Sequence, residues 1–273
     1  LSRIAGRFEQ LAAQGRKALV PYVVAGDPGP EVTVGLMHRL VESGADIIEL
    51  GVPFSDPMSE GPVIQLAHER ALANGISLRD VLGMVAEFRR DDPDTPVLLM
   101  GYANPVEHMG YPAFADAGRE AGLDALLTVD IPPEEVAPVN EELKRVDMDN
   151  IFLVAPTTPP DRVAQIAGQA SGFIYYVSVK GVTGAGHLDV DAVARGVEQV
   201  RAYSDLPVAV GFGIRDAESA SRIAAVADGV VVGSALVQTM ARAIEEGGDH
   251  DKAVDAAASL LADIRRGIDA TAS

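Results

Sequence analysis

Apolar residues along this 273-residue chain fall into two alternating kinds of stretch. Short, dense runs over 18–24, 46–50, 97–101, 124–128, 150–154, 173–178, 207–211 and 229–232 read as strands. The run at 47–50 is apolar enough to be covered on both faces. Between the runs, apolar positions recur at helical spacing over 31–43, 62–74, 78–90, 133–145, 160–170, 189–202, 216–226 and 234–245, with two short helical segments within 104–121. A helix over 2–14, with Ile4, Phe8 and Leu11 in step, precedes the first strand. A last helix over 251–267 carries Ala253, Ala257, Leu260, Leu261 and Ile264 on one stripe.

Strands that alternate with helices imply parallel pairing through right-handed crossovers. Eight such units in about 250 residues fit a closed (β/α)8 TIM barrel, here with an extra N-terminal helix and no linker, so 1–273 is expected to form a single domain. A weak internal repeat supports closure: SGAD at 43–46, AGLD at 121–124 and AVAD at 225–228 each end a helix and open a strand. The alternative is an open doubly wound sheet, but the loop after the first strand, AGDPGPE, lacks the GxGxxG fingerprint.

Charge and composition narrow the chemistry. With 40 acidic against 22 basic residues the net charge is −18, which opposes nucleic acid and anionic membranes. The chain has no cysteine, so it has neither disulfides nor a thiol nucleophile. Its N-terminus does not read as a signal peptide, and no apolar run approaches the roughly 20 residues that span a bilayer, so a cytoplasmic protein is expected. The five histidines, 38, 68, 108, 187 and 250, have no metal-site spacing, and most read as solvated.

In a barrel of this kind chemistry sits at the C-terminal ends of the strands. Glu49 lies one residue before the end of the second strand, and isolating a carboxylate there is costly unless it is paired, hydrogen-bonded or protonated. The plain alternative is a glutamate turned toward solvent or a structural arginine. Eleven residues later Glu60 arrives on a loop rich in Pro and Gly, expected to be mobile. Two such carboxylates suit general acid–base catalysis. Asp27, Asp56 and Asp130 fit turn and cap roles equally well, and Lys180 lies on a loop, poorly placed for a Schiff base. Glycine loops after strands six, seven and eight offer backbone N–H groups to an anion, with Gly184 and Gly186, Gly213, and Gly233-Ser234 opening a helix. Neither Lys nor Arg stands between 181 and 186 or between 211 and 214, so a phosphate there would be held by amides.

ELGVPFSDP followed by EGPVIQ, then VDIPPEE, GVTGA and GFGI, stand in an order that resembles the tryptophan synthase alpha subunit family, from about Ala18 to the final helix. The resemblance implies a (β/α)8 barrel that cleaves indole-3-glycerol phosphate to indole and glyceraldehyde 3-phosphate. It implies no cofactor in this chain, and an α2β2 complex whose pyridoxal-phosphate (PLP) beta subunit receives the indole. By position, it makes Glu49 the group that protonates indole C3 and helps deprotonate the glycerol hydroxyl. Glu60 stands where the best-known members have Asp, as the group that stabilises positive charge on the indole nitrogen. Tyr175 lines the site beside Glu49; Met100, Leu127, Thr183, Phe212 and Tyr22, the last in place of a frequent Phe, surround the indole. Gly184, Gly213, Gly233 and Ser234 hold the phosphate, and Val179-Lys180 departs from an Arg-containing sequence. Apolar, proline-rich loops (Pro53-Phe54, Pro57-Met58, 104–109, 131–133 and 156–160) mark a partner surface on the catalytic face. Rival readings are a barrel that only binds the ligand and activates a partner, and another phosphate-binding barrel enzyme such as a phosphosugar isomerase.

Overall fold

A computed structural model describes residues 2–178, 189–211 and 213–270. The strands β1 (Ala18–Val24), β2 (Ile48–Gly51), β3 (Val97–Gly101), β4 (Ala125–Thr128), β5 (Asp149–Val154), β6 (Ile174–Val177), β7 (Val208–Gly211) and β8 (Gly229–Val232) close into a barrel in chain order. Every neighbouring pair is parallel, and β8 returns to β1. The expected (β/α)8 barrel is therefore observed, and the open sheet is excluded. The outer ring is formed by α2 (Thr33–Glu42), α3 (Pro62–Ala73), α4 (Leu78–Phe88), α5 (Ala103–Met109), α6 (Tyr111–Ala121), α7 (Ala137–Arg145), α8 (Pro160–Gln169), α9 (Val190–Arg201), α10 (Ala217–Ala224), α11 (Ser234–Glu245) and α12 (His250–Asp269).

The extra helix α1 (Arg3–Ala13) closes the bottom of the barrel. Its stripe of Ile4, Phe8 and Leu11 packs with Ala18, Val20, Ile47, Leu98 and Phe173, and the Phe8 and Phe173 rings lie 5.6 Å apart. Ser2 starts the helix by accepting from the Ala5 amide. The barrel interior is thus filled from below with aliphatic and aromatic side chains, and only its upper layer is left for chemistry.

The internal repeat has a physical meaning. Asp46, Asp124 and Asp228 each sit just before an even-numbered strand and accept the amide of the strand before it, from Leu19, Val97 and Val208, at 2.8–2.9 Å. The remaining quarter follows the same plan with a hydroxyl, since Ser171 Oγ accepts from Asn150 N at 3.0 Å. Each aspartate also meets an arginine from the helix ring: Asp46 with Arg265 at 2.9 Å, Asp124 with Arg89 at 2.5 Å, Asp228 with Arg201 at 3.1 Å. Pairing and hydrogen bonds are what make such buried charges tolerable.

These pins are unequal, which gives a test. Asp124 is 4% exposed and its Arg89 partner 10%, whereas Asp228 and Arg201 are each about a third exposed. Asp124→Ala should cost ~3–5 kcal/mol, because it strands a buried guanidinium. Asp228→Ala should cost only about 1 kcal/mol. Urea unfolding of the two variants measures the contrast, and equal losses would mean that the arginine pairing does not set the energy.

Candidate active site

Glu49 lies in the middle of β2, in register between Tyr22 on β1 and Leu98 on β3. Its side chain faces the barrel axis and is fully buried. Among the described residues neither of its carboxyl oxygens has a hydrogen-bond partner. Burial first, and the charge of Glu60 second, push its pKa up to about 8. The solvent-facing alternative for this residue is thereby removed: at neutral pH the carboxyl holds its proton.

Glu60 comes from the loop joining β2 to α3. It is half-buried, and burial raises its pKa to about 7. The loop, expected to be mobile, is latched at several points. Phe54 N–H donates to His68 Nδ1 at 3.0 Å, and Ser59 N–H to the Tyr102 hydroxyl at 3.1 Å. Gln65 Nε2 donates to the Glu60 carbonyl at 2.9 Å, and the Phe54 and Tyr102 rings stack at 5.0 Å. Glu60 is thus held at the mouth with its backbone fixed on both sides.

Two tyrosines flank the carboxyl pair. Tyr22 and Tyr175 are 5% and 6% exposed, and burial, joined by the charges of Glu60 and Glu49, raises both phenol pKa values well above the usual. Their hydroxyls occupy space left by glycines at the ends of the neighbouring strands: Tyr22 reaches over Gly51, Tyr175 over Gly211. Leu127 packs in the barrel interior with Tyr175, and Met100 touches both that group and the cluster holding Tyr22. Gly233 lies against the Tyr22 ring, where an added Cβ would come within 3.2 Å. It is the N-cap of α11, with no side-chain cap, followed by an exposed Ser234. Gly213 has φ +77°, a backbone that L side chains rarely adopt. The α11 start, uncapped by a side chain, lies beside the Tyr22 ring, a setting that favours an anion.

Of the residues singled out from sequence, Glu49, Glu60, Tyr22, Tyr175, Met100, Leu127, Gly233 and Ser234 come together at or beside one mouth, with Gly213 at the end of β7. Thr183, Gly184, Phe212 and the pair Val179-Lys180 lie outside the described residues. Asp27 is structural: it is buried and forms a bidentate pair with Arg70 at 2.6 and 3.0 Å. Asp130 caps α5 through the Ala103 amide, and Asp56 accepts from Ser55. His68 was missed. It is not solvated but 1% exposed, between Phe54 and Tyr22, and burial lowers its pKa to about 4. The signal was available, because His68 shares the stripe Ile64, Ala67, His68, Ala71 on α3. Among the described residues no acidic or histidine cluster suits a metal ion. None of their helices is long and apolar enough to cross a membrane.

Comparison with known proteins agrees with this layout. The family model described as "Tryptophan synthase alpha chain" matches residues 8–265. The chain is 59% identical over 271 residues to the tryptophan synthase alpha chain of Thiobacillus denitrificans, covering 99% of this chain and 97% of that one. It is 61% identical over 246 residues to that of Chromobacterium violaceum, covering 90% and 93%. The crystal structure of the alpha subunit from Legionella pneumophila superposes with a TM-score of 0.92 at 46% identity, covering 99% of both chains. A chain of tryptophan synthase from M. tuberculosis, in an aminoacrylate-bound form, gives 0.87 at 36% identity, covering 98% of this chain and all of that one. By sequence and by architecture alike, the chain belongs to the tryptophan synthase alpha chain family.

Proposed function

We propose that the chain cleaves indole-3-glycerol phosphate to indole and glyceraldehyde 3-phosphate, with Glu49 and Glu60 as its acid–base pair. The observation that carries the assignment of roles is the buried Glu49 carboxyl, protonated at neutral pH and without a hydrogen-bond partner among the described residues, under the influence of a second perturbed carboxyl, Glu60. Retro-aldol cleavage needs a proton on indole C3 and loss of the proton from the neighbouring glycerol hydroxyl. The carbon–carbon bond breaks with its electron pair returning to the ring, and the hydroxyl carbon becomes the aldehyde. Nothing is oxidised or reduced overall.

Glu49 supplies the proton to C3; once it is a carboxylate, it can accept the hydroxyl proton. Glu60, with a pKa near 7, carries the negative charge that offsets positive charge on the indole nitrogen. Met100, Leu127, Tyr175, Tyr22 and Phe212 form the indole wall. Thr183 joins them around the indole, while Gly184, Gly213, Gly233 and Ser234 bind the phosphate through amides, which suits a chain of net charge −18. The enzyme is a cytoplasmic lyase working in an α2β2 complex, in which the PLP of the beta subunit consumes the indole.

The partner surface is assigned to the catalytic face. Met58 is 83% exposed there, and Pro156, Pro159 and Pro160 are exposed. Two residues expected in this patch belong elsewhere, since Pro53 and Val106 are buried. Ile131, Pro132 and Pro133 are half-buried and border a cavity of about 370 Å³ that reaches Leu153 and Arg162.

Glu49→Gln should lower kcat ~10²–10⁴-fold with its shape kept, and retention of a tenth of the activity would remove Glu49 from this role. The same variant has a stability signature. A carboxyl whose pKa rises from 4.5 to about 8 on folding contributes stability that is intact below pH 4.5 and lost as pH climbs through 8. The wild type should therefore lose on the order of 5 kcal/mol relative to Glu49→Gln over that window, read from paired denaturation curves.

Glu60→Ala should depress kcat far more than it raises KM, because the charge it offsets develops during the reaction. Glu60→Asp should stay active; a dead Asp variant would show that the latched loop is shaped for the longer side chain. For the partner, added beta subunit should raise kcat for indole release. Pro132→Asp should blunt that activation and spare the basal rate, and full activation with unchanged binding would move the interface elsewhere.

A further inference from the structure

Two side chains of the barrel lining border a space that no role above uses. Leu153 on β5 stands in register with Tyr175 on β6, and Leu127 on β4 with Met100 on β3. Strand alternation puts Val129 on the same face as Leu127, and its amide prolongs the ladder by donating to the Gly101 carbonyl at 2.9 Å. Val129 and Leu153 accordingly pack against the interior cluster that holds Leu127 and Tyr175. Both are half-buried, and both line the cavity of about 370 Å³.

That cavity crosses the sheet instead of lying within the barrel. Its wall includes Thr128 and Phe152, the strand neighbours of Val129 and Leu153, whose side chains point the opposite way. Phe152 belongs to the core between barrel and helices, and Ile166 of α8 closes that side. The space therefore runs over the ends of β4 and β5, from the two inward side chains to the helix ring. The sequence explains why the loops do not fill it. Pro132-Pro133 after β4, and Pro156, Pro159 and Pro160 after β5, have no N–H with which to bridge the two loops. The second loop instead turns on itself: Ala155 N–H donates to Thr158 Oγ1 at 3.0 Å, and Thr158 N–H to the Ala155 carbonyl at 2.9 Å. Arg162 pairs with Glu134 at 2.9 Å at the outer end, while Val129, Leu153, Phe152 and Ile166 make the inner part apolar.

We propose that this cavity is a side pocket of the indole site, entered between Val129 and Leu153, and that it takes small apolar substituents on the benzo ring. The proposal rests on the reading of Met100, Leu127 and Tyr175 as the indole wall. Leu153 is then a specificity-determining residue, standing at the neck with indole on one side and the cavity on the other. A volume of about 370 Å³ is within the range of small-molecule pockets, so a substituent that passes the neck meets room and not packed atoms. An apolar group that enters is favoured by leaving water. One methylene more or less in an apolar pocket changes discrimination by roughly 10–200-fold.

The test runs the reaction backwards. The full-length chain condenses glyceraldehyde 3-phosphate with indole in competition with each of the four benzo-ring methylindoles in turn. Product ratios from one tube do not depend on how much of a variant is folded. Leu153→Ala should raise the ratio of methylated to plain product about tenfold for one ring position or two adjacent ones, those that face the neck. Ile166→Phe, which fills the cavity from the helix side, should abolish that gain in the double variant.

No gain at any position, a gain spread evenly over all four, or a gain that survives Ile166→Phe each overturns the side pocket while leaving the lyase reading intact. A wild type that cannot condense plain indole would overturn the lyase reading, and the side pocket with it.

Discussion

Keeping water away from one carboxyl group governs this structure. Glu49 has no described hydrogen-bond partner, so its environment alone decides its charge, and an apolar barrel interior decides for the protonated form. Everything above it follows from that need. The aliphatic layer of Leu98, Leu127 and Ile151 keeps the surroundings poor in polar atoms. The latched loop brings Glu60 close enough for its charge to be felt, while half-exposure lets it ionise more readily than Glu49. Two carboxyls in graded environments thus acquire different pKa values, although the side chains are chemically identical.

Such a site needs a rigid floor. The helix that plugs the bottom brings Phe8 against Phe173 and removes a route for solvent into the interior. Around that floor the four side-chain pins bind each odd strand to its even neighbour, and the arginines tie three of them to the helix ring. Polar order is concentrated at the end of the barrel where no chemistry occurs. The opposite end carries glycines, the latched loop and Glu49, whose carboxyl has no hydrogen-bond partner among the described residues.

Much of this was legible in the chain. Dense apolar runs separated by helical periodicity gave the barrel and its closure, and β1, β3 and β8 begin and end where the pattern placed them. Glu49 stood out because a carboxylate in an aliphatic run contradicts its surroundings, and such contradictions mark function. The burial of His68 was legible in the stripe Ile64, Ala67, His68, Ala71 on α3, but its contacts with Phe54 and Tyr22 were not, because they cross between elements. The third pin was equally hidden: Ser171 does the work of an aspartate, so the motif SGAD had no visible counterpart in that quarter. Pro53 and Val106 were misjudged because loop composition does not reveal which apolar residues turn inward. Each miss involves contact across sequence distance, which periodicity does not encode.

The glycine notches under the tyrosines have a historical consequence. A methyl group at position 51 would stand 2.3 Å from the Tyr22 oxygen, and one at position 211 the same distance from that of Tyr175. Neither glycine can enlarge while its tyrosine is in place, because the colliding atoms belong to stiff rings already packed on all sides. The opposite order is open: a ring that shrinks first leaves a void, which costs stability but permits folding. Descent with modification through this pocket therefore runs in one direction, with the aromatic side chain changing before its glycine.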